Sequence, residues 1–245
     1  MQTDRTIVAA AIVGCGVALG GMFVGAGFAR GRAADRYVEV KGVAERDVKA
    51  DLALWPLRLV AAGNDLVAAQ ADIARNTAKV YAFFHRHAID SAQVELQGLD
   101  VTDAFANAFG GERPPQVRYV VTQTVMVRSP DVDRIMAATA QVGELVSAGV
   151  VLSSTRMGFG PSGPTFLFTK LNDLKPSMLA EAAANARQAA EQFAADSHSR
   201  LGGIRQANQG LFVIMPRDQA QGVMEGTQVL KTVRVVSTVR YRLRG

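Results

Sequence analysis

The stretch "VKGVAERDVKADLALWPLRLVAAGND", residues 40–65, decides the fold of this chain. Apolar and charged residues alternate over 38–41, which predicts a first strand. The apolar run from Leu52 to Ala62 predicts a second strand. The Asn-Asp pair that follows is a natural N-cap for a helix from about Leu66 to His87. The stretch therefore predicts two strands, joined by a charged turn, that lead into a helix.

The second strand is apolar at almost every position and carries Pro56 in its middle. A strand that is apolar on both faces is most simply covered on both sides. Proline has no amide hydrogen, so it suits a sheet edge or a bulge better than a central strand. These two properties predict that the segment lies near a contact between subunits, with Trp55 and Pro56 as contact residues.

The same alternation of strands and helices continues to the end of the chain. The order is ββα-ββα-ββα-ββ, which predicts an α+β fold with mainly antiparallel sheets and helices packed on them. The later predicted strands are 93–103, 118–128, 150–159, 165–169, 204–215 and 229–243. A second helix is predicted from its N-cap Ser129 to Gly149, and a long helix from about 172 or 176 to Arg200. The predicted inner line of the long helix is Leu179, Ala183, Ala186, Ala190 and Phe193.

The N-terminal segment from Thr6 to Ala29 has no charged residue. As a helix it would be about 36 Å long, enough to cross a hydrocarbon core of about 30 Å. The apolar region of a cleaved signal peptide is shorter, typically about 7–15 residues, so an uncleaved anchor is favoured over a signal peptide or a buried helix. We therefore expect a membrane anchor in residues 1–30, a linker in 31–36 and a domain in 37–245.

Four glycines lie one turn apart in pairs within that apolar segment. Small residues at this spacing permit close contact between membrane helices, although glycine is also common in membrane helices generally. The predicted oligomer contact residues of the segment are Gly16, Gly20, Gly21 and Gly25.

The composition and motifs argue against several classes of function. The formal net charge of +5 is small and dispersed, and neither a reading helix nor interleaved aromatic residues are present, so nucleic-acid binding is not expected. Cys15 is the only cysteine, which excludes a disulfide framework and a cysteine-based zinc or redox motif. His85 and His87 are two residues apart and would point to different faces of a helix. We therefore predict no catalytic residue, no metal site and no cofactor, and we do not expect an enzyme.

The C-terminal strand has one apolar face and one basic face. Its basic face carries Arg234, Arg240, Arg242 and Arg244. One interpretation is a half-buried strand whose charges discourage aggregation at a sheet edge. The other is a surface that meets anionic lipid headgroups or lines a cavity in an oligomer.

The chain from Tyr37 to Leu243 resembles the SIMPL domain. The stretch "VEVKGVAERDVKADLALWPLRLVAAGNDLVAAQADIARNTAKVYAFFHRHAI" is similar to the opening of that domain, and "LAEAAANARQAAEQFAADSHSRLGGIRQANQG" and "VRVVSTVRYRL" are similar to its long helix and last strand. The chain departs from the family at Ala50, where proline is usual, and at Pro56. Residues in step with the family are Gly42, Asp51, Leu52, Ala53, Ala68, Asn76 and Val80.

The resemblance implies a bacterial envelope or periplasmic protein of poorly defined function, without known catalytic residues. Some such proteins form large ring-like or channel-like oligomers, and some are linked to stress tolerance. We therefore expect a single-pass inner-membrane protein with its C-terminal domain in the periplasm, which assembles with copies of itself. Its other partner is the lipid bilayer, and further protein partners are left open.

Two other functions remain open. One is an enzyme or ligand-binding module with a pocket between sheet and helices. The other is an adaptor that faces the cytoplasm, because Arg30, Arg32 and Arg36 follow the apolar segment and the positive-inside rule would place them there.

Overall fold

A computed structural model describes residues 14–26, 36–106, 116–153 and 163–244. It shows an α+β fold built from antiparallel sheets and helices, as predicted. The strands are β1 (Tyr37–Lys49), β2 (Leu52–Gly63), β3 (Val94–Asp103), β4 (Tyr119–Ser129), β5 (Thr165–Leu167), β6 (Arg200–Gln209), β7 (Val213–Pro216) and β8 (Leu230–Arg244). The helices are α1 (14–26), α2 (Leu66–Arg86), α3 (Val132–Ala140), α4 (Gly143–Ser147) and α5 (Leu171–Asp196), with short 3-10 turns at Ser91–Gln93 and Glu225–Thr227.

The chain divides into two compact units. The first contains the described residues up to Ala44, together with Pro176–Phe212 and the described residues from Val235 onward. The second contains Glu45–Lys175 and Val213–Arg234. Strands β1 and β8 therefore contribute residues to both units, and the prediction of one domain over 37–245 stays a prediction.

The second unit is built on a sheet with the strand order β3–β4–β2–β5. Alternate residues of β2, from Ala53 to Ala61, are buried on the face that α2 and α3 cover. Trp55 is only 2% exposed, and its ring lies 6.4 Å from that of Phe83 and 5.8 Å from that of Phe84. A ring so deeply buried has no surface to offer a second copy. Trp55 is therefore a core residue, which corrects its interpretation as a subunit contact.

Pro56 lies on the opposite face of β2 and is exposed. The Val60 N–H donates to Val151 and the Arg58 carbonyl accepts from Ser153, both away from β4. Since backbone groups two residues apart point to the same side of a strand, the nitrogen of Pro56 also points away from β4. Strand β5 pairs with β2 only as far as Leu54. The missing N–H of Pro56 therefore leaves no described ladder incomplete, although β2 lies between β4 and β5 and is not an edge strand. The role of Pro56 in a subunit contact stays a prediction.

The second predicted helix is wrong in its start and its continuity. Ser129 is the last residue of β4, and the carboxylate of Asp131 caps α3 by accepting a hydrogen bond of 3.0 Å from the Arg134 N–H. The helix ends at Ala140, and α4 begins at Gly143. The hydroxyl of Thr139 donates to the carbonyl of Ile135, a bond that bends helices, and glycine is a poor helix former.

In the first unit, α5 lies unusually close to β1. A Cβ atom on Gly42 would overlap the carbonyl oxygen of Ala182 and lie 2.8 Å from the Cβ of Ala186. The side chains of α5 that are buried are Met178, Ala182, Ala186, Ala190 and Ala194. The predicted inner line was therefore wrong at Leu179, Ala183 and Phe193, because a helix this close to a strand has room for little more than alanine.

Two predicted strands are also shorter than expected. The strand predicted over 204–215 is two strands, β6 and β7, which both pair with β8. Between them the Gly210 N–H donates to the Val236 carbonyl, and a Cβ on Gly210 would overlap that same oxygen. The strand predicted over 150–159 is represented by an isolated bridge between Leu152 and Leu59, and its residues 154–159 lie outside the described residues.

The described residues cover only part of the predicted membrane anchor. Residues 14–26 are helical, while the remainder of the apolar segment and residues 31–35 of the linker lie outside the described residues. Among the helices that the structure describes, none is both long and apolar enough to span a bilayer.

Candidate interaction surfaces

Strand β3 forms an open edge of the sheet in the second unit. It pairs with β4 on one side, and no strand in the described part of the chain pairs with its other side. The edge is ten residues long, and the register shifts at Gly98, which has a positive φ of 51°. An edge of this length presents a row of backbone N–H and C=O groups to any further strand.

The side chains of this edge are apolar on the face that carries the helices. Register with β4 places Leu96, Leu99 and Val101 on the same face as the buried valines 121 and 125. They are nevertheless 49%, 52% and 45% exposed, because the helices do not extend over the outermost strand. We define Leu96, Leu99 and Val101 as the apolar edge of β3.

The same strand is acidic, with Glu95, Asp100 and Asp103 and no cationic residue. Asp103 accepts hydrogen bonds from the Arg118 guanidinium at 3.2 Å and from the Phe105 and Ala106 N–H groups. Partial burial raises the pKa of Asp103, but these hydrogen bonds outweigh it and hold the pKa below its ordinary value. The carboxylate stays ionised, so the end of the edge keeps its negative charge.

The basic face of β8 has the alternation that the sequence predicted. Val233, Val235 and Val239 are buried, whereas Arg234, Arg242 and Arg244 are exposed. In the second unit, Arg234 lies 3.2 Å from the carboxylate of Glu45. The role of these arginines in binding stays a prediction.

Arg240 is the most strongly held arginine of that face. Its guanidinium donates to Glu39 of β1 and, at 3.1 Å, to Gln206 of β6. The hydrogen bond with Glu39, and then the charge of that carboxylate, raise the pKa of Arg240. The guanidinium carbons of Arg240 and Arg205 lie 5.4 and 5.2 Å from the centroid of the Tyr37 ring, so one ring gathers two cations.

The four glycines predicted as a helix contact lie in α1. A Cβ atom added to Gly16, Gly20, Gly21 or Gly25 would meet no described atom within 4 Å. Nothing in the described part of the chain packs on them, and their role between copies stays a prediction.

A cavity of about 640 Å³ lies in the second unit, lined among others by Lys49, Asp133, Phe166 and Gln228. Its volume is within the range of small-molecule sites. However, the Lys49 ammonium lies 2.5 Å from the Asp133 carboxylate, and the amide of Gln228 bonds the backbone of residue 218. These polar groups bond to other groups of the chain, and a role of the cavity in ligand binding stays a prediction.

His85 in α2 and its C-cap residue His87 have different surroundings. His85 is exposed, while the ring of His87 packs against Phe83 at 4.4 Å and its Nε2 lies 3.6 Å from the Glu144 carboxylate. Within the described residues, no three His, Cys, Asp or Glu side chains are grouped to hold a metal ion.

Sequence reasoning missed the buried Lys231 of the second unit. Its side chain is fully buried, and its ammonium donates to the carboxylate and, at 2.7 Å, to the carbonyl of Glu225. A signal was present, because Lys231 shares the inward positions of β8 with Val233. The open edge of β3 was also missed, since no pattern in one strand reveals whether a neighbour covers it.

The family model SIMPL, described as "Protein of unknown function (DUF541)", matches residues 38–241. No curated protein matches the chain. The matched range contains all of β3 and contains β8 as far as Tyr241.

Proposed function

Because this chain belongs to the SIMPL family, a family of unknown function, we propose that it is a non-enzymatic envelope protein that assembles with copies of itself. The apolar segment 6–29 holds it in the bacterial inner membrane as a single pass, and the domain lies in the periplasm. The assembly is a homo-oligomeric ring, scaffold or channel-like structure, and tolerance of envelope stress is its physiological setting.

The open edge of β3 is the single observation that carries this proposal. Soluble proteins usually protect a long edge strand with inward charges, proline or a covering element. The helix-bearing face of β3 has no proline and no covering strand at Leu96, Leu99 and Val101, which are about half exposed, and its inward charge, Asp103, lies at the last residue of the strand. A strand from a second copy would extend the sheet, complete its hydrogen bonds and cover Leu96, Leu99 and Val101 together.

The charge of β3 limits which strand of a second copy can join it. Two β3 strands side by side would bring carboxylates together, and like charges opposite each other destabilise a sheet. Strand β6 is the complementary edge, because β8 is its one partner among the described strands and because it carries Arg200 and Arg205 with no carboxylate. Its exposed Ile204 lies on the same face as the buried Tyr241, so Ile204 would contact the apolar edge of β3 in the second copy. Joining β3 to β6 is a head-to-tail contact, the kind that closes into rings.

The proposal is tested by measuring the mass of the full chain in mild detergent by light scattering. We expect an oligomer for the natural chain and a shift to the monomer for the double variant Leu99→Lys with Val101→Lys. Inward-pointing lysines on an edge strand block further pairing. Both positions are about half exposed, so the fold itself should accept lysine.

Thr102→Lys is the matched control, because Thr102 is exposed on the other face of the same strand. It adds a lysine to β3 without touching the apolar edge and should leave the oligomer intact. A natural chain that is monomeric at all concentrations would refute the assembly. An oligomer that survives both lysines would move the contact away from β3.

The location of the domain is tested separately with reporter fusions at Gly245. A reporter that is active only outside the cytoplasm should report activity, and one active only inside should not. The reverse result would favour the cytoplasm-facing adaptor instead.

A further inference from the structure

The outer face of the sheet in the first unit concentrates the positive charge of the chain. Helix α5 covers the inner face, where Gly42, Val239 and Tyr241 are buried. On the opposite face of β1, β8 and β6 the charged side chains are exposed or partly exposed. Its charged residues are Glu39, Lys41, Arg200, Arg205, Arg240, Arg242 and Arg244, which we define as the basic sheet face.

The side chains of this face carry more positive than negative charge. Six cations and one carboxylate leave an excess of five positive charges, which equals the formal net charge of +5 of the entire chain. The rest of the chain is therefore neutral in sum. A dispersed excess would be unremarkable, but an excess collected on one side of three strands creates a directed field.

Several of these cations are placed against each other. Arg200 of β6 lies directly opposite Arg244 of β8 in the antiparallel register, and such like-charge pairs destabilise a sheet. Arg205 and Arg240 both lie over the ring of Tyr37. Glu39 neutralises only Arg240, and within the described residues neither Arg242 nor Arg244 has an ion pair. An external anion would relieve this repulsion.

The position of the basic sheet face along the chain indicates which kind of anion it meets. The Leu243 N–H donates to the Arg36 carbonyl at 2.9 Å, so the end of β8 that carries Arg242 and Arg244 lies beside the start of β1. Arg36 is seven residues after Ala29, the last residue of the apolar segment. Seven residues span at most about 25 Å when fully extended. A bilayer that holds the apolar segment is therefore within reach of these arginines.

We propose that the basic sheet face binds the anionic headgroups of a phospholipid bilayer. The inference rests on the membrane-anchored part of the proposed function, and its test uses Arg242 and Arg244 of β8, which the proposed contact between β3 and β6 does not use. Phosphate oxygens accept hydrogen bonds from guanidinium groups in the fork geometry that arginine offers. Tyr37, with an apolar ring and a polar hydroxyl, suits the interface between headgroups and water. The face thus orients the sheet against the membrane surface.

The experiment uses the full chain in lipid nanodiscs of phosphatidylcholine alone and of phosphatidylcholine with phosphatidylglycerol. A polarity-sensitive fluorophore is attached at Thr238→Cys on the basic sheet face, with Cys15→Ser to remove the natural thiol. We expect a blue shift of the emission only in the phosphatidylglycerol discs, reversed by high salt because exposed charges are screened. The variant Arg242→Gln with Arg244→Gln should lose the shift.

The control variant Arg75→Gln with Lys79→Gln removes two cations from α2 in the second unit and should keep the shift. Circular dichroism checks that both double variants are folded. Equal emission in the two kinds of disc overturns the inference, as does an equal loss of the shift in both double variants. A shift that inorganic phosphate alone produces in phosphatidylcholine discs would overturn it in favour of a free-anion site. A chain that does not enter discs of either composition contradicts the anchor in the proposed function, whereas a chain that enters but ignores phosphatidylglycerol contradicts only this inference.

Discussion

The cores of the two units differ in the size of the side chains that lie between helix and sheet. Each places a helix against an antiparallel sheet. In the second unit the contact is made by large side chains, with the Trp55 ring packed edge to face on Phe83 and Phe84 among buried valines. In the first unit the helix contributes the alanines of α5, which meet Gly42, Val239 and Tyr241 of the sheet.

The difference predicts how each core fails. A core of large side chains draws its stability from buried apolar area, so it is most sensitive to the removal of atoms. A core of glycine and alanine depends on close approach of two backbones, so it is most sensitive to the addition of atoms. Substitutions that shrink or enlarge one residue should therefore have opposite consequences in the two units.

The largest effect is expected from Trp55→Ala in the second unit. It removes a ring that contacts two phenylalanines and should cost about 3–5 kcal/mol of unfolding free energy, the range for aromatic truncation in a core. Urea unfolding followed by circular dichroism measures the loss. Val60→Ala on the outer face of the same strand is the control and should cost far less, because Val60 is only half buried. Similar losses at the two positions would contradict a one-sided core.

Next in size is Gly42→Ala in the first unit. A single added methyl overlaps the Ala182 carbonyl and must push α5 away from β1, at a cost of about 3 kcal/mol, the upper end for overpacking. Urea unfolding measures the cost, and hydrogen exchange should show faster exchange in the α5 peptides. The control is Gly203→Ala in β6 of the same unit, where an added Cβ meets nothing within 4 Å. If both alanines are tolerated alike, the close approach does not determine stability.

A smaller loss of unfolding free energy is expected when the ion pair between Glu225 and the buried Lys231 is broken in the second unit. Glu225→Ala leaves the fully buried ammonium of Lys231 without its carboxylate and should cost about 2 kcal/mol. Lys231→Met removes the buried charge itself, and the partly exposed Glu225 can then be hydrated, so the loss should be smaller. Urea unfolding of both variants checks this order. The reverse order would mean that the pair stabilises the unit through packing of the lysine chain.

The smallest effect lies on the surface of the second unit, at Glu144. The hydrogen bond from Arg86, 3.0 Å long, is the main cause that lowers the pKa of Glu144, with a further contribution from His87. A lowered pKa in the folded state stabilises the protein above the ordinary carboxyl pKa, and this stabilisation disappears as the pH falls through the folded pKa. NMR titration should place the pKa of Glu144 below its usual range and show it rising in Arg86→Gln. No change in that variant would assign the shift to another neighbour.

Much of the fold could be predicted because hydrophobic periodicity and helix N-caps can be read from neighbouring residues in the sequence. The strands β2, β3, β4 and β8 and the helix α2 lie within a few residues of their predicted bounds, and Asp65 caps α2 as expected. Strand β1 instead continues to Lys49, through the residues that were predicted as a charged turn. Apolarity on both faces of β2, however, does not reveal which face is the core. Trp55 was therefore assigned to a surface, and only register with β4 and the phenylalanines of α2 shows it to be inside.

The rest depended on contacts far apart in sequence. An alanine-rich helix has almost no amphipathic signal, so the largest side chains, Leu179 and Phe193, were assigned inward. The position of Gly42, more than a hundred residues away, excludes them, and Phe193 is 60% exposed. Of the candidate surfaces, the arginines of β8 could be predicted from alternation. The open edge of β3 could not, since exposure of an edge depends on the neighbours that a strand lacks.

The burial of Trp55 has a practical consequence for spectroscopy. It is the only tryptophan in the chain, and it belongs to the second unit. Tryptophan fluorescence, excited at the long-wavelength edge of protein absorption, therefore reports on the second unit alone. Because Trp55 lies in a dry, aromatic site, its emission maximum should be shifted to the blue. Signals that average over the whole backbone report from both units. A denaturation curve recorded by the two methods on one sample would show directly whether the halves of this molecule melt together.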